Sequence, residues 1–337
     1  MTTTVSRKTA LALLPVGLEI SVVVPTCGRP ELLIRCLDAL VEQVLDATLF
    51  ELIVVDDGCC DATRSLVAAY ADRGGPQVRY LRTTGRRGPA VARNLGWQQA
   101  RSPCIAFTDD DCIPAPHWLA AGLEALNTGA DGVAGRVHVP VPECPTDYER
   151  NCGGLNDSRF VTASCFYRRA ALAAVGGFDE RFAMAWREDS DLFFNLLVNG
   201  HSLIDAPEAL VLHPIRAAPW GVSLQQQRKN LFNALLYKKH PALYRRHLAP
   251  VTPWHYYSIL VALLAAIGGA IARNRPLAGI GWLFWALLSG RFCARRLHGT
   301  SRRPGHMLEM LLTSVLIPPL AIFWRIAGAI RFRVPFV

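Results

Sequence analysis

The sequence predicts an α/β fold, a mostly parallel sheet with helices on both faces, followed by a hydrophobic helical region. Short β-branched runs such as Ile20–Pro25 alternate with segments of helical spacing, which is typical of a parallel sheet. Long apolar stretches follow the sheet and form a distinct tail. We therefore expect an N-terminal extension (1–18), an α/β domain (19–253) and a membrane-associated tail (254–337).

The elements of the α/β domain follow from these patterns in order. Strands are predicted where a short apolar run ends at Pro, Gly or Asp. Helices are predicted where apolar residues recur three or four positions apart. The predicted strands are Ile20–Pro25, Phe50–Val55, Gln77–Arg82, Ile105–Phe107, Gly132–Val139 and Val161–Arg168. The predicted helices are 30–44, 61–71 with Asp61 as a candidate cap, 89–100, 118–126, 169–175 and one that starts near Glu188. Residues 143–160 are polar and irregular.

Three adjacent carboxylates, Asp109, Asp110 and Asp111, follow the apolar run Ile105–Phe107 directly. Like charges at the tip of a buried strand repel one another and resist loss of water. A divalent cation would relieve that conflict, because hard cations such as Mg²⁺ prefer carboxylate oxygens. Ligands of open α/β sheets bind at the carboxyl ends of the strands, where this cluster would lie. The residues alone leave two interpretations open, a metal site and a solvated acidic turn.

A second acidic group, Glu188, Asp189 and Asp191, stands beside Trp186 at the start of a predicted helix. Carboxylates in the first turn are favoured by the helix dipole, so capping explains any one of them. Three such residues next to a tryptophan favour a functional site.

The charge distribution excludes a nucleic-acid-binding protein. Residues 254–337 hold ten of the 36 Lys and Arg residues and one of the 27 acids, which leaves 26 of each sign in the rest. The excess positive charge therefore belongs to the apolar tail, as in a membrane segment flanked by arginine. The ten cysteines form no C-x-x-C pair, which indicates free thiols in a reducing compartment.

A dinucleotide-binding domain is disfavoured. Such a domain needs G-x-G-x-x-G after the first strand, and this chain has only Gly28 there.

The order of these motifs resembles the family 2 glycosyltransferases, which have the GT-A fold, over roughly residues 19–215. Each motif is weak alone, and their common order carries the resemblance. The matching pieces are Val22–Thr26, Val54–Gly58, Ala92–Gly96, Phe107–Asp111, Gly176–Glu180 and Glu188–Leu192.

The resemblance implies a nucleotide-sugar site at the first strand ends. A carboxylate there can accept an imide N–H or a ribose hydroxyl, although an ordinary Asp-Asp-Gly turn remains open for the second strand. The implied nucleotide-sugar-binding residues are Pro25, Thr26, Asp56, Asp57, Arg93, Asn94 and Asp110.

The resemblance also implies a metal and a base. Asp109 and Asp111 match the family's DxD motif, which holds Mg²⁺ or Mn²⁺ on the diphosphate, and His213 stands where relatives place a metal-proximal histidine. Asp189 of the "ED" motif is the implied general base of an inverting reaction, with Glu188 beside it. The expected acceptor contacts are Trp186, as a platform for a sugar ring, and Asp191.

The tail contains three apolar runs, which we expect to form a membrane hairpin (about 254–293) and a third segment (about 307–330). The third segment could span, re-enter or lie at the interface, and a buried helical subdomain is the alternative for the whole tail. The arginine distribution favours the cell (inner) membrane with a cytoplasmic catalytic domain, since only Arg273 and Arg275 would lie outside.

The sequence therefore predicts a hexosyltransferase-like glycosyltransferase that uses a nucleotide sugar and a lipid-linked or glycan acceptor, as in the synthesis of cell-envelope polysaccharide. Two alternatives remain: a catalytically silent membrane protein that binds a nucleotide or glycan, and a sugar nucleotidyltransferase.

Overall fold

A computed structural model describes residues 17–248 and 252–336, so that most of the predicted N-terminal extension lies outside the described residues. The sheet is eight-stranded. Its strands are β1 (Ile20–Thr26), β2 (Phe50–Asp56), β3 (Gln77–Arg82), β4 (Cys104–Phe107), β5 (Ile113–Pro114), β6 (Gly132–His138), β7 (Cys165–Arg168) and β8 (Leu203–Leu212).

Helices connect the strands and continue beyond the sheet. Those that precede the tail are α1 (Pro30–Val41), α2 (Asp61–Ala71), α3 (Pro89–Gln99), α4 (Trp118–Asn127), α5 (Asp147–Cys152), α6 (Arg169–Val175), α7 (Glu188–Val198), α8 (Val222–Gln226), α9 (Asn230–Lys239) and α10 (Pro241–His247). Those of the tail are α11 (Trp254–Ile271), α12 (Arg275–Leu297) and α13 (Pro304–Phe332).

The strand order is β3-β2-β1-β4-β7-β6-β8-β5. The first four strands run parallel, as expected. Beyond β4 the sheet is mixed, because β7 pairs antiparallel with both β4 and β6, and β5 pairs antiparallel with β8. The α/β class is confirmed, and the parallel character is strongest around β1 and β4, whose carboxyl ends lie side by side.

Helices cover both faces of the sheet, as predicted. Val22 and Val24 of β1 pack with Leu37 of α1 and Trp118 of α4 in one buried cluster. Val23, between them, belongs to a second cluster, which contains residues of α3, α6 and α7. Successive side chains of a strand point to opposite faces, so a continuous β-branched run buries both.

Three local expectations differ from the structure. Residues 143–160 are not irregular throughout, because Thr146 and Glu149 form a capping box that starts α5. Asp61 is the first residue of α2 and does not cap it, since Cys60 holds the cap position. The strand predicted from Val161 begins only at Cys165.

The first two tail helices form a hairpin around Arg273 and Asn274. Glycines let them approach closely: a carbon added at Gly281 would lie 2.4 Å from the amide nitrogen of Ala266. All three tail helices are long and apolar enough to cross a membrane.

Candidate active site

A cavity of about 740 Å³ opens where the carboxyl ends of β1 and β4 meet the N-terminal ends of α3 and α7. Both predicted acidic motifs contribute to its wall, although they are far apart in the sequence. The predicted site residues that line it are Pro25, Thr26, Asp57, Arg93, Asp109, Asp111, Trp186, Glu188, Asp189 and His213. Four others do not line it: Asp56, Asn94, Asp110 and Asp191.

Side-chain ligand atoms of Asp109, Asp111, Cys112 and His213 all lie within 4.8 Å of one another. Two carboxylates and an imidazole at this spacing fit a hard divalent cation. Cys112 was not predicted from the sequence. Its buried thiol has a pKa raised well above the usual value, first by burial and then by the neighbouring aspartates. A protonated thiol is a poor ligand for Mg²⁺ or Mn²⁺, so the two aspartates and His213 are the fitting donors.

Arg93 connects the two acidic motifs. Its Nη2 donates to Asp109 Oδ1 at 2.8 Å, and its Nη1 donates to Glu188 Oε1 at 2.9 Å. Burial alone would raise the pKa of Asp109, but the Arg93 guanidinium holds it below the usual value. At Glu188 burial prevails over Arg93 and raises the pKa to about 7. The site therefore holds one readily ionised carboxylate, Asp109, and one that resists ionisation, Glu188.

Asp189 is half-buried and faces the cavity at the first turn of α7. Its Oδ1 accepts hydrogen bonds from the amide and the hydroxyl of Ser190, at 2.6 and 3.2 Å. Both bonds that Asp189 accepts within the described chain use Oδ1, which leaves Oδ2 free to accept a proton. Between Glu188 and Asp189, only Asp189 combines exposure to the cavity with a free oxygen.

Arg216 is a further charged residue of the site that was not predicted from the sequence. Its Nε lies 3.0 Å from Asp111 Oδ2, beside His213, whose Nε2 is 3.7 Å from Asp111 Oδ1. Its sequence signal is its position three residues after His213, in the segment that follows β8. Arg216 therefore places a positive charge beside a carboxylate that is also a candidate metal ligand.

Asp110 turns away from the cavity, so the structure does not support its expected contact with the nucleotide sugar. It is fully buried, and its Oδ2 accepts from the Thr26 hydroxyl at 2.7 Å, while Oδ1 lies 2.7 Å from Arg29 Nη2. Burial raises its pKa to about 6 against the opposing effect of Arg29. Asp110 ties the loop after β1 to the tip of β4.

Asp56 also has hydrogen-bond partners within the protein. Its carboxylate accepts from the amides of Gly58 and Cys60 and from the Tyr80 hydroxyl, at 2.7 to 3.0 Å. The ordinary turn that the residues left open is therefore the better interpretation of Asp56.

Asp57, in contrast, lines the cavity and orders a neighbouring loop. Its carboxylate accepts from the amides of Arg87 and Gly88, each at 2.8 Å, and from the Thr83 hydroxyl at 2.9 Å. Gly88 has a φ of +100°, and a carbon added there would lie 2.8 Å from the carbonyl of Ala183. Glycine is therefore required where this loop meets the cavity wall.

Asn94 and Asp191 are structural in this geometry. Asn94 bonds both the amide and the carbonyl of Phe178, which explains its position near the site without contact to a nucleotide. Asp191 is fully buried, and Lys239 Nζ donates to it at 2.6 Å while His240 Nε2 lies 3.0 Å away. It joins α7 to α9 and α10, so the expected acceptor contact is not supported.

Trp186 lines the cavity with two cations over its ring. The Arg187 guanidinium carbon is 4.5 Å from the ring centre and Lys229 Nζ is 4.9 Å from it. Its Nε1 donates to Asn233 Oδ1 at 3.1 Å, which fixes the ring. No local pattern points to Lys229, because it lies 43 positions further along the chain on a different segment.

Comparisons with known proteins identify the family and the fold that the chain resembles. The family model "Glycosyl transferase family 2" matches residues 21–175. The glycosyltransferase AglE of Haloferax volcanii is 28% identical over 220 residues, which cover 62% of this chain and 70% of that protein. A validoxylamine A glucosyltransferase of Streptomyces hygroscopicus is also 28% identical, over 66% of this chain and 61% of that protein.

Among solved structures, the mannosyltransferase PcManGT from Pyrobaculum calidifontis, in complex with GDP-Man and Mn²⁺, has a TM-score of 0.60 and 19% identity. The match covers 97% of this chain and 91% of that one. At this identity the likeness concerns the fold, which is GT-A.

Proposed function

The chain belongs to the family 2 glycosyltransferases, which use nucleotide-sugar donors, and from that premise we propose that it is a metal-dependent, inverting enzyme. It transfers a sugar from a nucleoside-diphosphate sugar to a hydroxyl of a membrane-proximal acceptor, which is lipid-linked or a polysaccharide. The single observation that carries this proposal is the common cavity of Asp109, Asp111 and Asp189.

The donor side of the cavity is the end of β1 together with the Asp109–Asp111 tip. Asp109, Asp111 and His213 would hold Mg²⁺ or Mn²⁺, and their donor set fits either ion. When bound, the cation acts as a Lewis acid that stabilises negative charge on the departing diphosphate. Pro25, Thr26 and Asp57 line the same side and would contact the nucleotide.

Asp189 is the proposed general base on the acceptor side. Its free Oδ2 takes the proton of the acceptor hydroxyl as that oxygen bonds to the anomeric carbon. The bond from this carbon to the diphosphate breaks on the opposite face, so the anomeric configuration inverts. Glu188 is less suited to this task, because it is 3% exposed and paired with Arg93. It positions Arg93 beside the metal site.

The acceptor is proposed to lie at a membrane. In the 18-residue apolar windows of α11 and α12, only 17% of the residues are buried, so these helices are not the core of a soluble subdomain. The proposed domain division at residues 18/19 and 253/254 places this hairpin after the catalytic domain. Its basic residues favour the inner membrane, with the catalytic domain in the cytoplasm, where nucleotide sugars would be available.

The test is release of nucleoside diphosphate from a panel of nucleotide sugars, with membranes and with Mg²⁺ or Mn²⁺. We expect Asp109→Ala and Asp189→Asn each to lower transfer about 10²- to 10⁴-fold. Asp72→Asn, at the exposed end of α2, is the matched control and should retain full activity. Equal activity in all four proteins would refute the mechanism.

The same assay separates the two alternatives. A silent binding protein would bind the nucleotide without turnover, and a nucleotidyltransferase would release pyrophosphate instead of nucleoside diphosphate.

A further inference from the structure

Helix α13 has two different faces. One face is buried against the rest of the chain and includes Met310, Thr313, Ile317 and Ile322. The other exposes large apolar side chains, each 41–72% exposed, at helical spacing. This exposed stripe consists of Leu308, Leu312, Leu316, Phe323, Ile326 and Ile330. A soluble protein rarely leaves such a stripe in water, so it needs an apolar partner along its whole length.

The N-terminal end of α13 is fixed to the catalytic region. His306 Nε2 accepts a hydrogen bond from the amide of Asp147 at 3.0 Å, and Glu309 Oε1 accepts one from the amide of Gly221 at 2.7 Å. These partners lie at the start of α5 and directly before α8. Both of those segments precede the tail.

The C-terminal end of α13 is fixed to the same region. Lys238 Nζ, at the end of α9, donates to the carbonyl of Phe332 at 2.8 Å. Gly328 lies so close to α9 that a carbon added to it would be 2.5 Å from the carbonyl oxygen of Leu231. Both ends of α13 therefore contact the region that carries the active site.

The described contacts of the hairpin with α13 include residues in the middle of that helix. Ile259 near the start of α11, Phe292 near the end of α12 and Ile317 in the middle of α13 form one buried cluster. Arg296, also near the end of α12, bonds the hydroxyls of Thr313 and Ser314. The other end of the hairpin, around Arg273, carries exposed residues such as Ile271, which is 79% exposed. The base of the hairpin thus rests on α13 and its tip points away.

We propose that α13 does not cross the membrane but lies flat at its surface, with the exposed stripe in the lipid and the catalytic region above it. Length and composition alone allow α13 to span, but its contacts oppose this. From Glu309 to Phe332 the helix rises roughly 35 Å at about 1.5 Å per residue, more than the ~30 Å hydrocarbon core. A spanning α13 would place two contacts with one folded region on opposite sides of the bilayer.

The charges around α13 agree with a position at the lipid headgroups. Arg302 and Arg303 are exposed before it, and Arg331 and Arg333 are exposed at its other end. Basic residues favour the cytoplasmic side and anionic lipids. A helix parallel to the surface keeps both of its basic ends on one side of the bilayer. Only the hairpin then crosses the bilayer. This inference rests on the membrane attachment proposed above and adds the orientation: the cavity wall formed by α5 and α8 is held close to the bilayer.

Three epitope tags in the otherwise intact chain test the orientation: at the N-terminus, between Arg273 and Asn274, and at the C-terminus. Protease protection is measured in inverted membrane vesicles and in spheroplasts. We expect the two terminal tags on one side and the hairpin tag on the other. A C-terminal tag opposite the N-terminal tag overturns the α13 proposal and leaves the spanning hairpin intact. A hairpin tag on the side of both termini overturns the spanning hairpin and, with it, the surface on which α13 is placed.

Depth measurements test the lipid contact of the stripe. Leu316→Trp adds a tryptophan near the middle of α13, and Leu264→Trp adds one to α11 as the matched control; both side chains are exposed. Each is reconstituted in vesicles whose lipids carry bromine either near the headgroup or near the bilayer centre, and the fluorescence of the parent chain is subtracted. We expect headgroup bromine to quench Leu316→Trp more strongly and central bromine to quench Leu264→Trp more strongly. Central quenching of Leu316→Trp, or no quenching, overturns the proposal.

Discussion

Arg93 and Glu188 form a buried ion pair in which Nη1 donates to Oε1 at 2.9 Å, although the two residues lie 95 positions apart. Their exposed fractions are 2% and 3%. The other arm of the guanidinium reaches Asp109, so a single cation holds the base motif on α7 at a fixed distance from the carboxylates after β4. The geometry of the proposed reaction depends on this connection.

Replacing Arg93 by Met should destabilise the protein by about 3–5 kcal/mol, because it leaves the buried Glu188 and the half-buried Asp109 without their counter-charge. Urea unfolding in detergent measures the loss. Added Mn²⁺ should restore more stability to the variant than to the wild type, since it can neutralise Asp109. Arg159→Met removes an exposed pair with Asp205 and should cost no more than about 1 kcal/mol. Equal losses in the two variants would contradict the prediction.

The metal site should depend on carboxylates and not on sulfur. Asp111→Asn should weaken Mn²⁺ binding by at least about tenfold, because loss of an outer-shell partner alone typically costs that much. Cys112→Ser should leave the affinity within a few-fold, because burial raises the pKa of its thiol and keeps it protonated. Titration calorimetry with Mn²⁺ measures both. A larger loss for Cys112→Ser than for Asp111→Asn would assign the sulfur as a ligand.

Asp110 should make the metal-free protein less stable as the pH rises. Its pKa is about 6 in the folded chain, mainly because of burial, and about 3.9 when unfolded. The folded state therefore binds more protons between these values, and the free energy of unfolding falls from about pH 4 to pH 6. Asp110→Asn should reduce this slope, and Glu188, whose pKa burial also raises, accounts for the slope that remains.

Urea unfolding in EDTA across this pH range measures the effect. Asp46→Asn serves as the control, because hydrogen bonds from Thr48 lower the pKa of this exposed group and its contribution is lost only at more acidic pH. An unchanged slope in Asp110→Asn would show that another group causes it.

The order of elements and the convergence of the two acidic motifs were predictable from the sequence, because strand runs, turn residues and the polarity of strand ends are local signals. The sequence did not predict which of several neighbouring aspartates faces the cavity. Asp109 and Asp111 flank Asp110, which a hydrogen bond from Thr26 and the charge of Arg29 turn inward. Such a choice depends on side chains more than 80 positions away, and no local pattern encodes it.

The same limit explains the missed cations. Arg216 and Lys229 reach the cavity only because β8 and the segment after α8 return to it. In the tail, the apolar runs were evident from the sequence. The placement of α13, however, depends on contacts of His306 and Phe332 with distant parts of the chain.

We expect Arg296, a residue of the tail helix α12, to position the cavity wall. It is 6% exposed, its Nη2 donates to Asp147 Oδ2 at 2.8 Å, and it also reaches Ser223 of α8 at 3.2 Å. Helix α5 starts at Asp147 and supplies Tyr148 to the cavity. Arg296→Met should therefore raise the KM for the acceptor more than it changes donor hydrolysis, and hydrogen exchange of α5 should increase.

Arg295→Met, next to it but exposed, is the matched control and should change neither quantity. Arg296→Lys keeps the charge and should recover part of the acceptor affinity. If donor hydrolysis and acceptor KM deteriorate together in Arg296→Met, Arg296 supports the fold in general and not this wall.

Close contact between α11 and α12 should depend on two glycines. Added carbons would lie 2.5 Å from the amide nitrogen of Ala278 at Gly269 and 2.4 Å from that of Ala266 at Gly281, so any larger side chain must separate the helices. Gly269→Val and Gly281→Val should each destabilise the hairpin by about 1–3 kcal/mol. Gly268→Val is the control for the first variant and Gly279→Val for the second, because neither site has a neighbour within 4 Å. Thermal unfolding in detergent, followed by trypsin cleavage after Arg273, measures the difference. If the controls lose as much stability as the two contact variants, β-branching within the helices causes the loss and the packing argument fails.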